Sequence, residues 1–209
     1  MSRGVKVWNR LSAKYDKLWV QKYSLNPTRR KVTEIIKSID KETSFSILDV
    51  GCGTGQFLNE IKTLYPEAIT YGIDYSQGML GEAIKKNKHT YFLKGDICSS
   101  LPENFINQNS IDIVTCMHSF PYYNDKVRAL KNIRAFLKPS GYAIFVSASI
   151  NNVYDKFVMW FIEKTASDAV YLSKKDMRKL LKEEFNIVDE FVIKERIFMP
   201  TIWGFVVKK

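Results

Sequence analysis

Cysteine is scarce in this chain of 209 residues: three thiols, Cys52, Cys98 and Cys116, an odd number with no C-x-x-C spacing among them. A chain of this length needs no disulfide staples, so reduced thiols and no structural metal are expected. Long apolar runs are missing too. None approaches the roughly 18 residues of a membrane span, and Met1-Ser2-Arg3-Gly4-Val5-Lys6 leads into no signal-peptide core. A cytoplasmic protein with no membrane span is the expectation. Internal repeats and low-complexity stretches are also absent, which excludes solenoids. With 10 glycines and 6 prolines the composition is remote from collagen or a disordered linker.

What is present is 45% hydrophobic and 26% charged residues, enough for one sizeable core. At about 100 to 200 residues per domain, the length predicts a single domain with an appended segment. The net charge of +10 is uneven: residues 1–44 hold 11 Lys/Arg against 4 Asp/Glu, residues 45–173 hold 12 of each, and residues 174–209 hold 9 against 6. A basic end can mark contact with nucleic acid or a membrane surface. Without a block of five like charges, it reads first as the solvated face of a lysine-rich element.

Hydrophobic period organises the rest. Val7, Trp8, Leu11, Tyr15, Leu18 and Trp19 recur at helical spacing and predict an aromatic-faced helix over 7–19. Asn26-Pro27 reads as a cap and first turn, followed by the stripe Val32, Ile35, Ile36 and Ile39, with a linker at 41–44. From Phe45 short apolar runs alternate with helical stretches, the pattern of a parallel sheet with crossover helices. Strands are expected near 45–50, 68–74, 90–94, 110–117 and 141–148, with helices near 54–64, 76–87 and 124–137. Lys138-Pro139-Ser140-Gly141 reads as a stop and turn, and 102–109 as a short irregular crossover. Helices follow at 153–164 and 173–184, the second with a capping box in Ser173 and Asp176. Strands at 187–193 and 202–207 flank a turn near Met199-Pro200.

The chemistry is concentrated in Ile47-Leu48-Asp49-Val50-Gly51-Cys52-Gly53-Thr54-Gly55, an apolar strand entering a glycine turn and then a helix. Glycines permit the tight turn and clear Cβ atoms from a ligand's approach, and amides at a helix start can face its polar atoms. In an open α/β sheet such a ligand lies beyond the carboxyl ends of the strands. The dinucleotide pattern G-x-G-x-x-G fails, because position 56 is Gln56, and no G-x-x-x-x-G-K-[ST] loop is present.

These residues resemble the class I S-adenosylmethionine-dependent methyltransferases of small-molecule type. The resemblance covers about residues 45–150, through the 49–55 turn, Gly72-Ile73-Asp74-Tyr75-Ser76, Gly95-Asp96-Ile97 and Leu137 to Tyr142. It implies a Rossmann-like α/β fold: a seven-stranded, mostly parallel sheet with an antiparallel last strand, helices on both faces and an N-terminal helical lid. The division implied is a lid over 1–44 and a methyltransferase domain over 45–209. S-adenosyl-L-methionine is the implied cofactor. Asp74 would grip its ribose hydroxyls, Asp96 and Ile97 would border adenine, and Gly51, Cys52, Gly53 and Gly55 would face methionine and ribose. Asp49, Tyr75, Met79 and Met117 complete the implied cofactor contacts. A carboxylate can accept from both hydroxyls of one ribose, which gives Asp74 a physical use.

The acceptor side is expected at Cys116 to Asp125, after the fourth strand. Ser119-Phe120-Pro121-Tyr122 matches three of four places of an amino-methylating pattern, [Asp/Asn/Ser]-Pro-Pro-aromatic. His118 and Tyr122 are the candidate catalytic residues, and Tyr15, Trp19 and Tyr123 the candidate lid or substrate contacts. Asp16 beside Tyr15 completes a Tyr-Asp pair like one found ahead of the glycine turn in many relatives, and the apolar stretch 157–162 is a second lid candidate. A sulfonium methyl is already activated, so alignment and exclusion of water can do most of the work, which fits the lack of a triad or metal cluster. A small-molecule acceptor is the first expectation. RNA or another acidic polymer is the second, from the basic amino-terminal segment, and a non-catalytic S-adenosylmethionine-binding module the third.

Overall fold

The computed structural model describes residues 3–39, 44–99, 105–149, 169–194 and 201–209. The expected helix over 153–164, the apolar stretch 157–162 and the turn at Met199-Pro200 lie outside them, as do parts of the 41–44 linker and the 102–109 crossover.

The sheet grows outward from β1 (Ser46–Val50), every residue of which is buried, as a strand covered on both faces must be. On one side come β2 (Ile69–Asp74) and β3 (Thr90–Lys94), and on the other β4 (Ile111–Met117), β5 (Leu137–Ala148), β7 (Ile202–Lys208) and β6 (Asn186–Ile193), in the order β3-β2-β1-β4-β5-β7-β6. All pairings are parallel except those of β7, which runs antiparallel between β5 and β6. This is the seven-stranded, mostly parallel sheet with an antiparallel last strand that the resemblance implies, built on the parallel core that the alternation of runs predicts.

Helices cover both faces. Val32 and Ile36 of α2 (Asn26–Ile39), Phe57, Leu58 and Ile61 of α3 (Gln56–Leu64) and Leu80 of α4 (Gln77–Lys86) pack against Ile47, Ile113, Ile144 and Val206. On the opposite face Ala129, Leu130 and Ile133 of α5 (Lys126–Phe136) and Met177 and Leu181 of α6 (Lys174–Leu181) meet Leu48, Val114, Phe145 and Phe205. Adjacent residues such as Ile47 and Leu48 thus serve different cores, as the two-residue period of a strand dictates.

Three local expectations are corrected. The helix expected over 7–19 is broken: α1 (Arg3–Leu11) passes into a 3-10 turn at Ser12–Lys17, and a π-helical turn at Gln21–Leu25 then runs straight into α2. Asn26 is therefore not a cap. Its backbone is helical, with φ −62° and ψ −48°, and its side-chain oxygen accepts from Arg29 instead. Secondly, Lys138 to Gly141 is not a turn but the start of β5, with a bulge where the register with β4 shifts between Ile111 and Ile113. Proline is tolerated at such an irregularity. Thirdly, the Ser173 cap is real, its hydroxyl accepting from the Asp176 amide at 3.1 Å, but the Asp176 carboxylate takes the Ser173 hydroxyl proton rather than closing the box on the backbone.

Candidate active site

The carboxyl ends of β1 and β4 converge on an open cleft of about 430 Å³, solvent at its mouth included, with Asp74 at the end of β2 hydrogen-bonded to its Gly53 wall. Asp49, Gly51 to Thr54, Met117 and His118 form its floor, and Tyr15, Gln21, Leu25, Thr28 and Arg29, all from the amino-terminal segment, form its roof.

The glycine turn stands in left-handed backbone at each glycine, with φ of 78° at Gly51, 55° at Gly53 and 72° at Gly55. Their purposes differ. A Cβ on Gly51 would stand 2.2 Å from Ser119 Cβ, and one on Gly55 would meet Asn87 at 2.6 Å, so these two are small to let the chain pack. Only at Gly53 is the space open, the nearest atom being the Tyr15 ring at 3.8 Å. Gly53 is the glycine that can admit a ligand against the backbone.

Two carboxylates sit beside the turn. Asp74 accepts from the Gly53 and Ser76 amides, each at 2.8 Å. Burial raises its pKa, and amides of Ser76, Gly53 and Tyr75 pull it back. A carboxylate offers about four lone-pair sites, so both oxygens keep capacity for hydroxyls. Asp49 is buried at the end of β1 and accepts from Thr115 Oγ1 at 2.7 Å, Thr115 being its register partner on β4. Desolvation pushes its pKa up to about 7, against the Thr115 hydrogen bond, with Asp74 adding to the rise. An arriving cation would be welcomed there.

Arg29 is the cation of the cleft. It donates to Glu60 at 2.9 Å, to Gln21 at 3.1 Å and to Asn26, so that among the described residues three of its five N–H groups are engaged. Ammonium, carboxylate and diol thus each have a complementary group, the set a methionine-bearing nucleoside requires.

His118 closes β4 with φ of 60°, a conformation uncommon for a side-chain-bearing residue. Its amide is held by Val146 O at 2.7 Å and its Nε2 lies 2.9 Å from Thr28 Oγ1. Burial, and secondarily Arg29, lowers its pKa to about 4, so the ring is neutral at physiological pH.

The other residues singled out in the sequence have the following surroundings. The Tyr123 hydroxyl is directed beneath the glycine turn, 2.9 Å from Ser119 Oγ and 3.3 Å from Val50 O, so it props the turn rather than meeting an acceptor. Trp19 is 63% exposed and points to solvent rather than to the site. Tyr122 is beside the roof: it stands edge-on to Trp8 at 5.7 Å, Trp8 is edge-on to Tyr15 at 5.9 Å, and the Tyr122 hydroxyl is hydrogen-bonded to Tyr171. Ile97 is buried in the core, and Asp96 accepts from the Cys98 amide at 2.9 Å in a local turn. Met79 is buried in α4, Tyr75 is 47% exposed, and Cys52 lines the cleft with its thiol pKa raised by burial.

Thr28, Arg29 and Gln21 were not singled out, because an apolar stripe reports the buried face of a helix and says nothing of polar residues turned toward a cleft. The segment that carries them is tied down. Asp16 accepts from Thr54 Oγ1 at 2.6 Å and pairs with Lys86, and Asn9 Oδ1 accepts from Ser76 Oγ at 2.7 Å and the Gly78 amide at 2.8 Å.

Comparison with known proteins agrees with this geometry. The methyltransferase-domain family matches residues 48–145. Demethylmenaquinone methyltransferase of Staphylococcus carnosus is 29% identical over 202 residues, covering 90% of this chain and 80% of its own. Malonyl-[acyl-carrier protein] O-methyltransferase of Halalkalibacterium halodurans is 28% identical over 119 residues, covering 55% of this chain, which spans only 43% of that relative. The crystal structure of the N-methyltransferase NodS from Bradyrhizobium japonicum, in complex with S-adenosyl-L-homocysteine, superposes with a TM-score of 0.75 at 16% identity, covering 99% of this chain and 98% of NodS. The seven-stranded sheet, the 51–55 turn and these likenesses agree: residues 48–145 match the methyltransferase-domain family, and the fold and the named relatives support an S-adenosylmethionine-dependent methyltransferase of class I.

Proposed function

We propose that the protein methylates a small molecule, in the roofed cleft between the glycine turn and residues 15–29, at an oxygen whose proton His118 accepts. The carrying observation is the roof itself: Tyr15, Gln21, Leu25, Thr28 and Arg29 cover the floor that holds Asp49, Gly53 and His118. A covered site suits a small acceptor and excludes water, which methyl transfer requires.

When bound, S-adenosylmethionine supplies an activated methyl group, released as the carbon–sulfur bond breaks with its electron pair to sulfur. The chain's own residues do the rest. Asp74 takes the ribose hydroxyls on its remaining lone pairs, Asp49 and Arg29 take the ammonium and carboxylate, and Gly53 lets the ligand lie on the backbone. His118, at the end of β4, is neutral and accepts the acceptor's proton. A base with a pKa near 4 is weak. It serves an acceptor whose hydroxyl becomes strongly acidic as the new bond to carbon forms. Residues 1–44 act as the lid over residues 45–209.

The two named relatives point to a demethylmenaquinone-like or malonyl-thioester-like acceptor. A second reading, an RNA acceptor, is favoured by the exposed cations Lys6, Arg10, Lys14, Lys17 and Lys22 on the amino-terminal segment. Transfer of labelled methyl to a panel of demethylated quinols, malonyl thioesters, small amines and RNA decides between them. Labelling of a small acid or quinol, steady between about 50 and 200 mM salt, supports the first reading. Labelling of RNA alone, falling steeply over that range, overturns it.

A further inference from the structure

Thr28 lies on α2, far from His118 in sequence, and has no exposed surface. Its hydroxyl makes two contacts: 2.8 Å to Ser24 O and 2.9 Å to His118 Nε2. A hydroxyl has one proton and two lone pairs. A carbonyl oxygen can only accept, so the proton goes to Ser24 O, and the contact with His118 must then be an N–H donated from Nε2 to Thr28 Oγ1. In a neutral imidazole the proton sits on one nitrogen alone, so Nδ1 carries the lone pair.

We propose that Thr28 is the positioning residue for His118: it fixes the Nε2–H tautomer and so makes Nδ1 the atom that takes the acceptor's proton. This rests on the reading of His118 as the base, and adds the atom and the device that selects it. The backbone leaves the ring few alternatives, since His118 is held at φ 60° with its amide on Val146 O. Nδ1 has no hydrogen-bond partner among the described residues. It is also not among their sealed, unpartnered side-chain atoms, which are Asn87 Oδ1 and Trp203 Nε1, and His118 lines the cleft. The proton passes from the acceptor's hydroxyl to Nδ1 as its oxygen lone pair bonds to the methyl carbon, giving a transient imidazolium that loses the Nδ1 proton to solvent.

Thr28 belongs to the same segment that roofs the cleft, and this has a consequence for catalysis. The tautomer is set only while α2 lies against β4, so the roof and the base are assembled together.

With two histidines in the chain, the test is spectroscopic and needs no acceptor. Nitrogen-15 imidazole signals of the full chain at neutral pH, with His89→Asn to assign them, distinguish a protonated from an unprotonated Nε2. The wild type should show Nε2–H and a bare Nδ1. Thr28→Val should shift His118 toward Nδ1–H, and Thr28→Ser should restore the wild-type pattern. Once an acceptor is in hand, kcat/KM should fall about 10- to 100-fold in Thr28→Val, part of the contribution of a general base, and stay within about twofold in Thr28→Ser. Wild-type protein with Nδ1–H overturns the proposal, and so does Thr28→Val protein that keeps Nε2–H. If Thr28→Val does not fold, the wild-type tautomer alone decides. Failure of every acceptor in the panel would refute the proposed function without touching the tautomer result.

Discussion

Asp16 and Thr54 are joined by a hydrogen bond of 2.6 Å, which fastens the amino-terminal segment to the glycine turn itself. The second Asp16 oxygen pairs with Lys86 of α4, so one carboxylate bridges the roof to two elements of the site. Asp16→Ala should therefore quicken hydrogen exchange over residues 3–25 and weaken binding of S-adenosylhomocysteine by about tenfold. Most of that loss belongs to the Thr54 bond, since hydrogen bonds to charged groups contribute roughly 1.5–3 kcal/mol while part-exposed ion pairs contribute little. In the wild type the same ligand should slow exchange over 3–25, and equal rates with and without saturating ligand would reduce the segment to ordinary packing.

Asp74→Ala should weaken cofactor binding by roughly 1.5–3 kcal/mol, the contribution of hydrogen bonds to a charged group. The same change strips the Gly53 and Ser76 amides of their acceptor, so the melting temperature should fall as well. Asp74→Asn, which keeps one carbonyl oxygen, should fall between. Calorimetry that finds unchanged affinity in Asp74→Ala would remove Asp74 from the ribose.

Asp49 predicts a pH dependence of definite sign. Its pKa is about 7 in the folded chain against an unfolded value near 3.9, so folding favours the protonated form. The stability it contributes is full below about pH 4 and is lost as pH rises through 7, a loss on the order of 4 kcal/mol. Asp49→Asn should remove this penalty, raising the melting temperature of ligand-free protein at pH 8 more than at pH 5. It should also weaken a ligand bearing an ammonium group. Binding of that ligand below pH 7 should release a proton in the wild type and none from this position in the variant, as read by calorimetry in buffers of different ionisation enthalpy.

Gly51 and Gly53 should fail in different ways when given a methyl group. Gly51→Ala drives Cβ into Ser119 from a left-handed backbone, and overpacking with strain should destabilise the fold by on the order of 2–4 kcal/mol. Gly53→Ala meets nothing nearer than 3.8 Å, so its stability cost should be about 1–2 kcal/mol, from backbone strain alone. Its affinity for S-adenosylhomocysteine should fall further than that of Gly51→Ala. Denaturant melts and titrations on the two variants give the comparison, and an equal loss of affinity in both would undo the distinction.

The fold was legible because its signals are local. A fully buried β1, the Gly51–Gly55 turn and the spacing of Leu130 and Ile133 each declare an element without reference to distant residues. What misled were residues whose role is set by something far away. Asn26 looks like a cap until Arg29 claims its oxygen, and Pro139 looks like a stop until β4 offers an irregular register. The site divided in the same way. Asp49, Gly53 and His118 could be found because a glycine turn and a strand end mark them. Thr28 and Arg29 could not, because nothing in a helical stripe says that its polar flank will roof a cleft built from residues 49–54 and 117–118. Tyr123 was misplaced for a related reason: position after β4 brings a side chain near the site, but only the collision line between Gly51 and Ser119 shows which aromatic ring goes underneath.

The position of β7 governs the timing of assembly. Among the described residues, strand β6 joins the sheet through β7, and β7 is the neighbour of β5 on that side. As the chain is synthesised from its amino terminus, everything from β1 to β5 can associate while the outer edge of β5, which carries buried Phe145 and Val146, still waits for residues 202–208. An unpaired apolar edge is a template for mispairing, and such a half-built sheet is the kind of species that aggregates or recruits chaperones. Crowding of nascent copies would do most harm in that interval, and the last strand to arrive is the one that ends it.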